Sequence, residues 1–182
     1  KKAIDTVATP TTEVAKETTA TQTTTTPTTT AGASSTTKEV SLSDTQRVGR
    51  EASGYVNVPK DWVAYQDKNT GSQFQFSSPD KYNVLSMNAY TKETVKLGDN
   101  ETFSARLIAD RLYNYWQKEK DQTSLQGVKA KFAGEDSFLM KVSFSDGKHL
   151  YEWVFQKGDK VYTIAIEGTA DMINTLRPVF EQ

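Results

Sequence analysis

The chain has 182 residues, 36% of them hydrophobic, and a formal net charge of −1. It contains no cysteine, which excludes a disulfide framework, a thiolate metal site and a cysteine nucleophile within these residues. Balanced charge removes the basic footprint that nonspecific nucleic-acid binding needs, and no run of eighteen apolar residues offers a membrane-spanning helix.

Those averages blend two unlike segments. Sixteen of the first thirty-seven residues are threonine, and no aromatic residue precedes Tyr55. A segment with so little apolar surface cannot offset the ~1–2 kcal/mol per residue of backbone entropy lost on ordering. Residues 1–53 are therefore expected to be a disordered Thr/Pro/Ser-rich tether. As a coil of about fifty residues it would span roughly 40 Å, and its Thr/Ser clusters with Pro suit O-linked sugars. Val40, Leu42 and Val48 suggest at most a short turn of helix near its end. Residues 54–182 are of the size of one domain, able to bury a core unaided.

Within that domain the first expected strand is Gly54–Pro59, leading into a turn that presents Trp62. Strict alternation from Gln73 to Ser77 and a run from Asn83 to Tyr90 give two more, the last with Val84 facing away from Leu85 and Met87. Asp99 and Asn100 are plausible N-caps for a helix from Glu101 to Lys118. Its apolar side would carry Phe103, Leu107, Ile108, Leu112, Tyr115 and Trp116.

A three-stranded meander follows. Asp146-Gly147 between alternating runs predicts a two-residue type I′ hairpin. That register sets Phe144 against His149, Val142 against Tyr151, Met140 against Trp153, Phe138 against Phe155, and Lys141 against Glu152 as a cross-strand ion pair. A second turn at Gly158-Asp159 sets Tyr162 beside Phe155, Ile164 beside Trp153 and Ile166 beside Tyr151. Together they predict one buried face of Phe138, Met140, Val142, Tyr151, Trp153, Phe155, Tyr162, Ile164 and Ile166. The reverse face, with Leu139, Val154 and Ala165, would be covered by a helix from about Ala170 that Pro178 interrupts or restarts.

The strand ending in Val58-Pro59-Lys60-Asp61-Trp62, the hairpin strands, the helix, the meander and the closing helix resemble the PsbP-like fold over Gly54 to Gln182. That fold is shared by the extrinsic oxygen-evolving-complex protein of photosystem II and by Ran-binding nuclear import factors. The resemblance implies an α+β domain, an antiparallel sheet of about six strands sandwiched by helices. The Thr-rich segment resembles the spacer of Gram-positive surface lipoproteins, which implies a lipidated cysteine just upstream of Lys1 and a location at the extracellular face of the membrane, or secretion.

The chemical inventory is thin. His149 is the single histidine and reads as a structural residue beside a turn. No Walker loop, Gly-x-Ser-x-Gly elbow or calcium-loop spacing occurs. Asp80, Asp99, Glu101, Glu135, Asp136, Asp146 and Asp159 are scattered through loops and read as solvated. Lys129 and Lys131 fit an edge strand protected against aggregation. Tyr55, Trp62, Tyr65, Tyr82 and Tyr90 stand outside the expected core, and Trp62 with Tyr65 form the candidate partner-binding surface.

The expectation is a non-catalytic, surface-tethered binding or accessory domain of a bacterial lipoprotein, monomeric, with no assigned catalytic, cofactor or metal residue. Its partner would be a protein or a cell-envelope glycan. The alternative is an extracellular hydrolase with an atypical site built from Ser, Asp and Lys residues.

Overall fold

A computed structural model describes residues 44–68 and 73–180, all within the unit Lys38–Gln182. In chain order they form β1 (Thr45–Arg50), β2 (Gly54–Pro59), β3 (Val63–Tyr65), β4 (Phe74–Ser77) and β5 (Val84–Tyr90). Helix α1 (Ala105–Lys118) precedes β6 (Gln122–Phe132), β7 (Glu135–Phe144), β8 (His149–Lys157), β9 (Lys160–Gly168) and helix α2 (Ala170–Phe180). Seven strands pair antiparallel in the order β3-β4-β5-β9-β8-β7-β6, and β1-β2 is a separate hairpin. The α+β sandwich expected from sequence is present, with seven strands in its main sheet.

Strand alternation divides the apolar residues between two layers. On one face Leu85, Met87, Leu139, Trp153, Ile164 and Ile166 meet Ile173, Leu176 and Phe180 of α2, Val48, Val56 and Val58 of the hairpin, and Trp62. On the other, Met140, Val154 and Val161 meet Ile108, Ala109, Leu112 and Trp116 of α1.

The ordered domain reaches back past Gly54. Residues 45–50, read from composition as tether, pair along their length with β2, and Val48, expected in a helical turn, lies buried opposite Val56. The signal was weak because β1 carries one large apolar residue among Thr, Gln, Gly and Arg. Val40 and Leu42, and the Thr-rich run, lie outside the described residues.

Helix α1 starts at Ala105 rather than Glu101, because Ser104 is the cap: in extended backbone, its hydroxyl accepts from Leu107 N at 3.1 Å. Tyr115 turns outward, 54% exposed, and Tyr113 packs inward beside Trp116. In α2, Thr169 accepts from Met172 N through its hydroxyl, and the helix runs through Pro178 without interruption.

One register differs by a residue, with large consequence. Gly158-Asp159 forms the two-residue turn as expected, pairing Phe155 with Tyr162, Trp153 with Ile164 and Tyr151 with Ile166. Asp146-Gly147 does not. The Phe144 amide donates to Lys148 O and the Gly147 amide to Phe144 O, closing a three-residue loop, Ser145-Asp146-Gly147. Only Gly147 takes positive φ, at 87°, and the Asp146 carboxylate accepts from the Lys148 amide. This is a type I turn followed by a G1 bulge, in which Asp146 avoids the left-handed backbone that a type I′ turn would impose.

The pairs in β7 and β8 are therefore Ser143 with His149, Lys141 with Tyr151, Leu139 with Trp153, and Met140 with Glu152. A one-residue slip exchanges faces. Phe138, Met140 and Val142 leave the predicted Trp153 face for the α1 side, Leu139 replaces them, and α2 covers the Trp153 face rather than its reverse. The expected Lys141–Glu152 ion pair does not form: Lys141 lies 5.5 Å from the Tyr151 ring centre, on the opposite face from Glu152. The turn with two positive-φ residues is instead Ala133-Gly134, between β6 and β7.

Candidate functional site

Helix α1 packs over β6 to β9 and leaves the β3-β4-β5 half of its face without a helix among the described residues. That half is polar, and register fixes what lies there. Tyr65, Gln75, Ser86, Ala165 and Glu152 follow one another across β3, β4, β5, β9 and β8, ending at Met140 under α1. Asn88 pairs with Thr163 one row along, and Glu167 with Leu150 on the other side.

The row is tied internally. Gln75 donates from Nε2 to Ser86 Oγ at 2.9 Å, while its Oε1 accepts the Asp67 amide at 2.8 Å, drawing the segment after β3 onto the sheet. Gln75 and Thr163 are buried, and Ser86, Asn88 and Tyr65 are half-buried. The result is a strip of fixed donors and acceptors running from the sheet edge toward α1.

Glu152 is its most unusual member. It is 7% exposed, and no salt bridge to it occurs among the described residues. Burial pushes its carboxyl up to about 7. The Trp116 indole opposes that rise, although its buried Nε1 closes no bond of hydrogen-bond length among the described residues. Burial also raises the Tyr90 phenol, and the nearby Glu152 charge adds to it. Glu167 is raised by burial as well, with Lys148, 3.8 Å away, pulling it back. Glu152 thus sits between polar sheet and apolar helix cover, able to carry a proton near neutral pH. Sequence reading missed it because the predicted register gave it a lysine partner.

The two aromatics singled out from sequence separate. Trp62 is 3% exposed and belongs to the core, so the turn after Pro59 folds it inward instead of presenting it. Its carbonyl accepts from Gln46 Nε2 at 2.8 Å, which holds that turn against β1. Tyr65 is half-buried on edge strand β3 and lines a shallow cleft of about 320 Å³ with Arg50, Phe74 and Phe76. Of the other loop-borne aromatics, Tyr55 and Tyr82 are 53% and 38% exposed and carry Arg47 and Lys148 over their rings.

A second cleft, about 420 Å³, lies near the start of α1 beside Lys92, Glu101, Phe103 and Asp159. Glu101 there accepts from the Gly98 amide and from Arg111, which hold its carboxyl below the usual range. His149 stands opposite Ser143, with Nδ1 3.0 Å from the hydroxyl, and not opposite Phe144 as the predicted register required. No group of three or more metal-ligating side chains occurs among the described residues. No helix among them is long and apolar enough to cross a membrane.

No family model and no curated protein sequence matches the chain. Among solved structures, cyanobacterial PsbP (CyanoP) from Synechocystis sp. PCC 6803 is similar with a TM-score of 0.52 and 15% identity, over 78% of this chain and 89% of that one. LpqN, described as involved in cell envelope biogenesis of Mycobacterium tuberculosis, gives a TM-score of 0.48 and 13% identity, over 76% of this chain and 88% of that one. The domain has the PsbP-like fold. A likeness at this level of identity carries fold and not function, because one fold hosts many activities.

Proposed function

We propose that this is a non-catalytic accessory or binding domain displayed at a bacterial cell surface, held there through its Thr-rich segment by a lipid upstream of Lys1. The observation that carries the reading is the division of the chain: sixteen threonines in the first thirty-seven residues, and no aromatic before Tyr55, ahead of a folded domain. Such a segment acts as a spacer, and a spacer serves a domain that must meet something away from its anchor.

The recognition surface in this reading is the Tyr65 edge and the polar strip behind it. Gln75 is fixed in it by its bonds to the Ser86 hydroxyl and the Asp67 amide, and the strip offers polar groups to an extended polar partner, a cell-envelope glycan or a protein. The fold supplies the rigid platform and the short edge strand β3 supplies access.

Fractionation of cells producing the native protein tests the location. Partition with the envelope into detergent, and protease release of the domain from intact cells, are the expected results; recovery from the cytosol sinks the proposal. Tyr65→Ala tests the surface. It should leave the unfolding free energy within about 0.5 kcal/mol of wild type and weaken retention of envelope components at least about tenfold. Unchanged retention would move the surface elsewhere.

A further inference from the structure

Helix α1 is seated unevenly, and its shallow half is the part that covers Glu152. Its buried residues, Ile108 and Ala109, both lie in the first half. In the second half Leu112 and Trp116 are half-buried, and Asn114, Tyr115 and Lys118 are exposed. Helix α2, with 11 residues against 14, buries Ile173, Leu176, Val179 and Phe180. The N-terminal end of α1 is also tied to the sheet, where the Ala105 amide donates to Gln156 Oε1 at 3.3 Å. Beyond the helix the chain is next fixed at Asp121, whose carbonyl accepts the Ser145 amide at 2.8 Å. Between these anchors, Trp116 rests edge-on against Phe144 and is the α1 side chain that acts on Glu152.

No cation among the described residues compensates that carboxyl. Its cross-strand partners are Met140 on β7 and Ala165 on β9, and the next residues along on this face are Phe138, Val142, Thr163 and Glu167. From β5 and α1 the titratable neighbours are Tyr90 and Tyr115, phenols raised by burial, with Glu152 adding to each, and so neutral through the physiological range. Arg106 is paired with Asp110, Arg111 with Glu101, Lys148 with Glu167 and Lys131 with Asp136. Lys129 at the β6 edge, Lys118 at the helix end, and Lys92, Glu93, Lys96, Asp99 and Glu101 in the segment before α1 are exposed.

A dry carboxylate without a partner is costly, so either the group keeps its proton or its cover gives way. The sheet is the stiffer side, because β8 is hydrogen-bonded to both β7 and β9, whereas the second half of α1 is held by side-chain packing. We propose that residues 112–120 are a pH-sensitive cover over Glu152, seated while the carboxyl is protonated and lifted when it ionises, with the Ile108–Ala109 half as the fixed end. Lifting lengthens the open strip of sheet from Ala165 to Met140. The device needs no partner and stands or falls independently of the Tyr65 surface.

The chain has no cysteine, so single introduced thiols report where solvent enters. Met140 and Leu139 are neighbours on β7, 2% and 1% exposed, the first under α1 and the second on the α2 face. Met140→Cys and Leu139→Cys are labelled with a thiol reagent at about pH 6 and about pH 8.5, each rate divided by that of exposed Asn114→Cys to cancel ordinary thiol ionisation. The Met140→Cys ratio should rise about tenfold, the change in ionised fraction of a carboxyl titrating at about 7. The Leu139→Cys ratio should stay flat, and adding Glu152→Gln should flatten that of Met140→Cys. Thermal unfolding checks that each variant is folded. Amide exchange of residues 112–118 in the unsubstituted chain, corrected for intrinsic rates, repeats the measurement without a cysteine and decides alone if Met140→Cys fails to fold. Protection of those amides that does not change with pH, a flat Met140→Cys ratio, a rise that survives Glu152→Gln, or an equal rise at Leu139→Cys overturns the proposal.

Discussion

Trp153 and Glu152 are neighbours on β8 and face opposite ways. Trp153 is fully buried, ringed by Phe132, Tyr151 and Phe180 under α2. Glu152 is almost as buried under α1, yet it carries a carboxyl where its row passes from polar sheet to apolar helix. Around Trp153 the α2 side is sealed by a helix, a hairpin and Trp62, and the α1 side is covered by a helix over only part of its width. Equal burial thus means different things on the two faces: on one it is the bulk of the hydrophobic stabilisation, on the other a retained polar group whose protonation state depends on its surroundings.

The sharpest way to break this contrast is at the tryptophan. Trp153→Ala removes a fully buried indole from the centre of the larger core, and a loss of about 3–5 kcal/mol is expected in urea unfolding. A loss below about 1 kcal/mol would show that the α2 face is not the main source of stability.

The carboxyl side answers to pH. A carboxyl raised to about 7 in the fold, from near 4.5 when unfolded, binds its proton more tightly in the native state. Its contribution is therefore fully present below about 4.5 and lost as pH rises through about 7, a change on the order of 3 kcal/mol. Glu167, also raised by burial, adds in the same direction. Glu152→Gln, which resembles the protonated acid, should flatten most of this decline and make the protein more stable than wild type above neutrality. Stability profiles of the two proteins that run parallel from pH 5 to 8 would mean that Glu152 is solvated in solution.

What the sequence made legible follows from how many local choices each feature needed. The Phe155–Tyr162 register depended on a single turn with glycine in its first position, and it was read correctly. The β7–β8 register depended on whether Asp146 would accept a left-handed backbone, and the alternative, one residue longer, moved Met140 and Leu139 to exchanged faces. Glu152 stayed hidden behind that slip, because a predicted lysine partner made it look satisfied. Trp62 was misplaced for a different reason: the Pro59 turn gives its position in the chain, but only the Gln46 contact and the hairpin core show that it turns inward. Tyr65 is named from sequence only alongside Trp62, as one of two aromatics after the Pro59 turn, while the row connecting it to Glu152 spans strands far apart in sequence.

The smallest expected effect tests whether α1 is the weaker of the two covers. Ser104 caps α1 through its bond to the Leu107 amide, so Ser104→Ala should cost about 1 kcal/mol. If the α1 face opens locally, that cost falls on the helix before it reaches the Trp153 core, and the amides of Ile108 and Ala109 should exchange with solvent about fivefold faster. Amides of β8 and β9 should respond only to the global loss. Since Trp116 and the rest of α1 exclude water from Glu152, the same loosening should draw its carboxyl down from about 7 toward the ordinary range. Uniform acceleration across both faces, with the Glu152 titration unmoved, would mean that helix and sheet open only together, and that the difference between the faces is one of composition alone.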